Sequence, residues 1–426
     1  MKLLPPKLAA SLADTVYAIN DNPLLETGRP RSSMDAAQDR GLLLGIGGQF
    51  AIRPPQSGDA YPFMRAQSGG SPLPGGNWMA SQLDSHVFTP VRSDFGYIAT
   101  GEGEWQRHMV IVTRGTMGPE TSKISPDWLT NYNIGMDRGP GGHKVHAGFH
   151  RVWAQFRDFV DAAVATYKPE LIHCVGHSLG GALATLNAVH VAQSTGRPVA
   201  LYTFGAPRVG ALPFATEASW RLSGRLKRVY HPADPVPMIP LLPFLHAPLS
   251  SGIRLPNEDK GIMDGSAHNM TNSYRRLVSR FDDWGGLENA NVVVNDFQIE
   301  LWLRMAAKGG NGGFLMRSTA LLETIGHALS LVVARAAFYV LGSGISAAAT
   351  SMLTSLDYLA WLLERGAEMV DTLREQLTGL VNAIFGYLGR IANSAADLSR
   401  KALRWVLDLL FSMLASAARV AIDRLW

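Results

Sequence analysis

Cysteine is almost missing from this sequence. Cys174 stands alone among 426 residues, which rules out an internal disulfide framework and every multi-cysteine zinc or iron–sulfur pattern. Charge is scarce as well: Asp, Glu, Lys and Arg make up 17% of the chain, and the formal net charge is only +4. No run of Lys or Arg concentrates that excess, so nucleic acid is not an expected partner. The 12 histidines include no HExxH or paired-ligand spacing, so no metal site is indicated, and no cofactor is expected. The opening MKLLPPKLAASLADTVYA lacks the uninterrupted apolar core of a secretory signal, because Pro5, Pro6 and Lys7 break it. The expectation is a chain made in the cytoplasm without a signal peptide, then exported by a non-Sec route or associated with a membrane. Internal repeats are missing too.

What is present is apolar and long. Hydrophobic residues make up 46%, too many for intrinsic disorder, and the length allows a large core divided over two or three domains. Residues 7–20 carry apolar positions at helical spacing. Residues 53–79 are crowded with Pro, Gly and Ser and predict an irregular insertion. From His108 the texture changes. HMVIVTRGT reads as a buried strand entering a turn; strands LIHCV (171–175), PVALYTF (198–204) and RLKRVYH (225–231) follow, with helices over 148–167 and 180–194 between them. That alternation predicts an α/β fold with a mostly parallel sheet.

Gly176-His177-Ser178-Leu179-Gly180 fits G-x-S-x-G, with a strand-forming run before it and a helix-forming run after it. A sharp turn there would expose the Ser178 hydroxyl at the strand's end, and only small residues fit on either side of it. A serine needs a base, and the base needs an acid to orient it. Asp234, in HPADPVPMIP, stands just after a strand and in the right chain order. Three histidines follow it: His246, His268 and His327. His268 lies in the polar loop DGSAHNMTNSY and is preferred as base over His246; His327 sits on an apolar helical face. His231 precedes the acid and reads as structural. Leu179, after the nucleophile, and Thr116, at the end of VTRGT, are the candidates for the oxyanion hole.

Together these blocks resemble the class 3 (fungal-type) lipases, a branch of the α/β-hydrolases. The resemblance is carried by VIVTRGT (110–116), KVHAGF (144–149), VGHSLGGALA (175–184), TFGAPRVG (203–210), YHPADPVPMIP (230–240) and AHNMTNSY (267–274). It implies a serine esterase (lipase or phospholipase) acting on glycerolipid ester bonds, with Ser178 as nucleophile, Asp234 as acid, His268 as base, and Thr116 with Leu179 as oxyanion hole. It also implies a lid within 117–143. The rival readings are a non-enzymatic membrane-binding or pore-forming protein on a lipase-like fold, and a thioesterase or peptidase on the same scaffold.

KGGNGG (308–313) reads as a linker, which divides the chain into a lipase-like domain, 1–307, and a helical C-terminal domain, 314–426. Apolar residues at 356, 359, 363, 370, 373, 377, 380, 384, 388, 391 and 398 predict one long amphipathic helix. A second stripe runs from Leu403 to Val420. Residues 336–356 carry no charge and are long enough to span a bilayer. The tail is either a packed bundle or a membrane-engaging segment. With a lipase-like head and no secretory signal, it suggests an antibacterial phospholipase effector, with a membrane surface and an immunity or chaperone protein as partners.

Overall fold

The computed structural model describes residues 2–18, 50–51, 78–83, 91–101, 103–115, 135–240, 243–249, 252–258, 264–290, 296–309, 319–342, 355–390 and 397–423. The sheet is built from β1 (Phe50–Ala51), β2 (Trp78–Leu83), β3 (Val91–Gly101), β4 (His108–Thr113), β7 (Leu171–His177), β8 (Val199–Phe204), β9 (Leu226–Tyr230) and β10 (Ile253–Arg254). Its spatial order is β1-β3-β4-β7-β8-β9-β10, with β2 also paired to β3. From β4 to β10 every pairing is parallel; β1 and β2 run antiparallel to β3, as does β4. A separate hairpin joins β5 (Met136–Arg138) to β6 (Lys144–His146). The expected α/β class with a mostly parallel sheet is what the chain adopts.

Strand periodicity sorts the side chains into two cores, because successive residues point to opposite faces. In β4 and β7, Met109, Ile111, Ile172 and Cys174 face one core; Val110, Val112, Leu171 and Val175 face the other. The first core is closed by helices α2 (Ala147–Tyr167), α3 (Leu179–Thr195) and α4 (Leu212–Arg221). The second is closed by α1 (Pro6–Thr15) and by Tyr274, Leu277 and Trp284, the last opening the short α5 (Trp284–Asn289). Helix α3 is buried on nearly all sides, as its almost uniformly apolar and small side chains require. Strand β2 begins at Trp78, so the last two residues of the predicted irregular insertion are strand; 53–77 lie outside the described residues. Residues 117–134 of the predicted lid lie outside them as well, and its remainder forms β5 and a short turn of helix at Pro140–Gly142.

The C-terminal helices are α6 (Asp296–Ala307), α7 (Thr319–Gly342), α8 (Ser355–Met369), α9 (Asp371–Tyr387) and α10 (Arg400–Asp423). The predicted single long helix is therefore corrected to two. It breaks at Val370, whose backbone is extended at φ −139°, ψ 114°. The apolar stripe runs through the break unchanged because α8 and α9 face the same core: Leu359, Leu363, Leu373, Leu377 and Ile384 are all buried there. That core also takes in Ile299 and Leu303 of α6, which precedes the glycine-rich linker, and Val236 and Ile239 from the loop after β9. Helix α10 packs against both the Val236–Met238 turn and the Gly265–His268 turn. Of the uncharged run, 336–342 continue α7 and 343–354 lie outside the described residues.

Candidate active site

The turn from β7 into α3 holds Ser178 at φ 57°, ψ −134°. A non-glycine residue with positive φ is strained, and such strain persists only where surrounding packing over-determines it. The flanking glycines supply that packing. A Cβ on Gly176 would lie 2.2 Å from the Gly180 carbonyl oxygen, and one on Gly180 would lie 2.2 Å from that of Thr113. Neither position tolerates a side chain.

Ser178 Oγ lies 2.8 Å from His268 Nε2, and His268 Nδ1 lies 2.7 Å from Asp234 Oδ2. All three side chains are buried. Asp234 leaves the sheet just after β9, and its Oδ1 accepts the Val236 N–H at 2.9 Å, which fixes the loop. His268 ends a short helical turn that starts at Asp264, whose carboxylate caps it. The three residues predicted as nucleophile, acid and base are thus brought together. Leu179 opens α3, where backbone N–H groups have no intrahelical acceptor and point toward the serine side of the turn. Thr116 lies outside the described residues. Its neighbour Gly115 abuts the site: a Cβ there would stand 2.8 Å from Ser178 Cβ.

The other histidines go elsewhere. His246 points its Nε2 at the Pro237 carbonyl, 2.7 Å away; His231 accepts the Ala233 N–H on Nδ1. His327, on α7, meets the Tyr230 ring edge-on at 6.4 Å.

Three further residues shape the site and were not expected from the sequence. Tyr274 donates its hydroxyl to Asp234 Oδ2 at 2.7 Å and accepts the His231 N–H. Burial and the neighbouring Asp234 carboxylate push its phenol well above the usual range, so it stays a donor. His177 places Nε2 2.8 Å from the His268 carbonyl oxygen. A carbonyl only accepts, so Nε2 carries the proton. Burial, with His268 alongside, holds the His177 pKa well below the ordinary value, so the ring is neutral and Nδ1 is an acceptor. Tyr17 donates to it, its hydroxyl 2.7 Å away, and accepts the Gly115 N–H at 3.1 Å. Burial raises its phenol pKa too. A chain of hydrogen bonds thus runs from the RGT loop through Tyr17 and His177 to the backbone of His268.

Residues 110–244 match the family model described as Lipase (class 3). Over that stretch, about a third of the chain, the sequence is similar to the class 3 lipases. Among curated relatives, the secreted mono- and diacylglycerol lipase 1 of Fusarium solani is 36% identical over 154 residues, which is 35% of this chain and 43% of that protein. Phospholipase A1-II 4 of Oryza sativa subsp. japonica is 29% identical over 234 residues, 46% of this chain and 54% of its own. Toxin TseL of Vibrio cholerae serotype O1 is 32% identical over 125 residues, 29% of this chain and 19% of the toxin. The chain therefore spans about half the length of such relatives, or less. The matched stretch ends at Phe244, so it includes Ser178 and Asp234, while His268 follows it.

Proposed function

We propose that this protein is a serine esterase that hydrolyses glycerolipid ester bonds, as a lipase or phospholipase A, through an acyl-enzyme. The observation that carries the reading is the hydrogen-bonded chain Ser178–His268–Asp234 on a strained strand-to-helix turn. His268 Nε2 takes the Ser178 proton as Oγ attacks the ester carbonyl. Asp234 holds Nδ1–H and stabilises the imidazolium that forms. The developing oxyanion is met by the Leu179 N–H, with Thr116 as the second donor. His268 then protonates the departing alcohol, and water repeats the sequence on the acyl-enzyme. The lipase and phospholipase relatives support the substrate class.

The same reading places the protein at a lipid surface. Phe297, Leu301 and Met305 recur every four residues on α6 and are 74%, 51% and 51% exposed, an apolar stripe of the kind that marks an interaction surface. The match to a bacterial toxin supports use as an antibacterial effector with a dedicated immunity protein. The direct test incubates mixed glycerolipids with the full chain and follows released fatty acid by mass spectrometry. Ser178→Ala, His268→Ala and Asp234→Ala should each lower turnover by about 10⁴-fold or more and be strongly non-additive, since the three act as a unit. Undiminished release by Ser178→Ala would sink the proposal.

A further inference from the structure

A cavity of about 750 Å³ lies between the hydrolase part and α7, bounded by residues from 208 to 249, by Phe297 and Ile299 of α6, and by 322–334 of α7. It includes neither Ser178 nor His268 in its lining. Two arginines line it, Arg208 and Arg228, only 7% and 8% exposed. The Arg228 side chain makes no hydrogen bond or ion pair among the described residues, and its buried Nε is left without a partner. Its guanidinium only packs, over the Tyr230 ring at 5.1 Å and against the backbone of Gly252. Arg208 spends Nη1 on the Met238 and Pro240 carbonyls, at 2.7 and 3.4 Å, and has no carboxylate partner among the described residues. A buried charge left unpaired is costly, and proteins normally compensate it.

The carboxylates that share this lining are engaged elsewhere. Glu323 is held by Arg254 Nε at 2.9 and 3.0 Å and by the Tyr230 hydroxyl at 2.8 Å; Asp234 is held by His268 and Tyr274. Two positive charges thus face the cavity uncompensated. His246, beside them, is kept neutral by burial and by both arginines. Burial, with Arg228 nearby, draws Arg208 down to about 10. Most of the rest of the wall is apolar, through residues such as Leu245, Ile299, Leu322 and Leu331, with His231, His327 and Ser330 also in the lining. It reaches solvent at Phe297 and Leu249, which are 74% and 46% exposed.

We infer that this cavity binds a phosphate-bearing amphiphile, its phosphate between Arg208 and Arg228 and its hydrocarbon chain along the wall formed with α7. A phosphate monoester carries about −1.5 to −2 at pH 7 and three acceptor oxygens, which suits two guanidiniums with unused N–H groups; Arg pairs with phosphate bidentately. The ligand is held apart from Ser178 and is not consumed there, so this site is additional to the hydrolytic one and does not depend on the hydrolase reading.

The test measures binding by calorimetry on full-length Ser178→Ala protein, with inorganic phosphate and with dihexanoyl phosphatidic acid below its micelle-forming concentration. The amphiphile should bind at least tenfold more tightly than phosphate. Arg228→Met should weaken both at least tenfold and leave the melting temperature unchanged or higher, because it removes an unpaired buried charge. Gly326→Leu should weaken the amphiphile alone: Gly326 lines the cavity, and a Cβ there meets nothing within 4 Å. Equal affinity for phosphate and amphiphile would overturn the chain's place in the cavity. Undiminished binding by Arg228→Met, or no binding of either probe to the parent protein, would overturn the site itself.

Discussion

Tyr274 and Tyr17 brace the proposed triad, Tyr274 through Asp234 and Tyr17 through His177. Tyr274→Phe removes one donor to Asp234 and leaves the His231 N–H unmatched. We expect kcat/KM on a soluble p-nitrophenyl ester to fall about tenfold, or ~1.4 kcal/mol, within the range of a hydrogen bond to a charged group. A variant with unchanged kcat/KM would show that the hydroxyl only packs. Ser178, Asp234 and His268 were legible in the sequence because a motif, a strand end and a chain order each restrict the choice. Tyr17, His177 and Tyr274 were not, because their roles rest on contacts made across 160, 91 and 40 residues of chain. His177 even lies inside the G-x-S-x-G motif, at a position whose identity the motif leaves open. His246 was a weaker candidate for base, and its orientation toward the Pro237 carbonyl depends on the fold of a loop that no local pattern encodes.

Among the secondary-structure elements, the parallel strands and their crossover helices were readable because each strand is an apolar run bounded by turn residues. The antiparallel β2 and β3 were not, since WMASQL and VRSDFGYIATG mix polar and apolar residues. The tail's stripe predicted one helix where there are two, because periodicity reports which face is buried and says nothing of a break that keeps the same face inward. The close crossing of α6 and α9 was equally hidden. A Cβ on Gly379 of α9 would stand 2.1 Å from the Leu303 carbonyl oxygen of α6, whereas one on Gly386 of the same helix meets nothing within 4 Å. Glycine to alanine in a helix ordinarily stabilises by up to ~1 kcal/mol. Gly386→Ala should follow that rule and raise the melting temperature by a few degrees. Gly379→Ala should lower it, because two helix backbones must part. Equal shifts of the same sign in thermal melts would mean that α6 does not pack on α9 as described.

Across the whole molecule, buried imidazoles set the acid limit of stability. Burial brings His146 and His173 down to about 3, His108 adding to the effect at His173, and it lowers His177 and His246 well below the usual value. The unfolded chain protonates these rings below about pH 6.5 and the folded chain does not. Stability is therefore complete above that pH and falls as pH drops, by ~1.4 kcal/mol per ring per pH unit for His146 and His173. Melting temperatures should be level from about pH 7 to 8 and decline steeply toward pH 5. A level profile down to pH 5 would contradict the buried neutral state.

The tail's relation to the hydrolase part decides what its removal does. Sequence composition favoured a division at the glycine-rich linker. Yet the helices bury Val236 and Ile239 of the loop that follows Asp234, and α10 also packs on the turn that ends in His268. One helix among the described residues, over Leu321–Val340, is long and apolar enough to cross a membrane. Its inward face, with Leu322, Ile325, Leu329 and Val332, is occupied by the shared core. Withdrawing such side chains from a core into lipid would leave Ile239 and its neighbours facing water, at a cost of ~25 cal/mol per Å² of apolar surface. A chain cut after residue 307 should accordingly lose its cooperative melt and its hydrolysis of soluble p-nitrophenyl esters together. Lipid contact then falls to side chains that are already exposed. Replacing Phe297, Leu301 and Met305 together with Gln should leave soluble-ester hydrolysis within about twofold of the parent, since none of them contacts the Ser178 site, while flotation with phospholipid vesicles drops severalfold. If the truncated chain keeps full soluble-ester activity, the tail is a separable attachment. If the triple variant floats as well as the parent, the α6 stripe is not where the protein meets lipid.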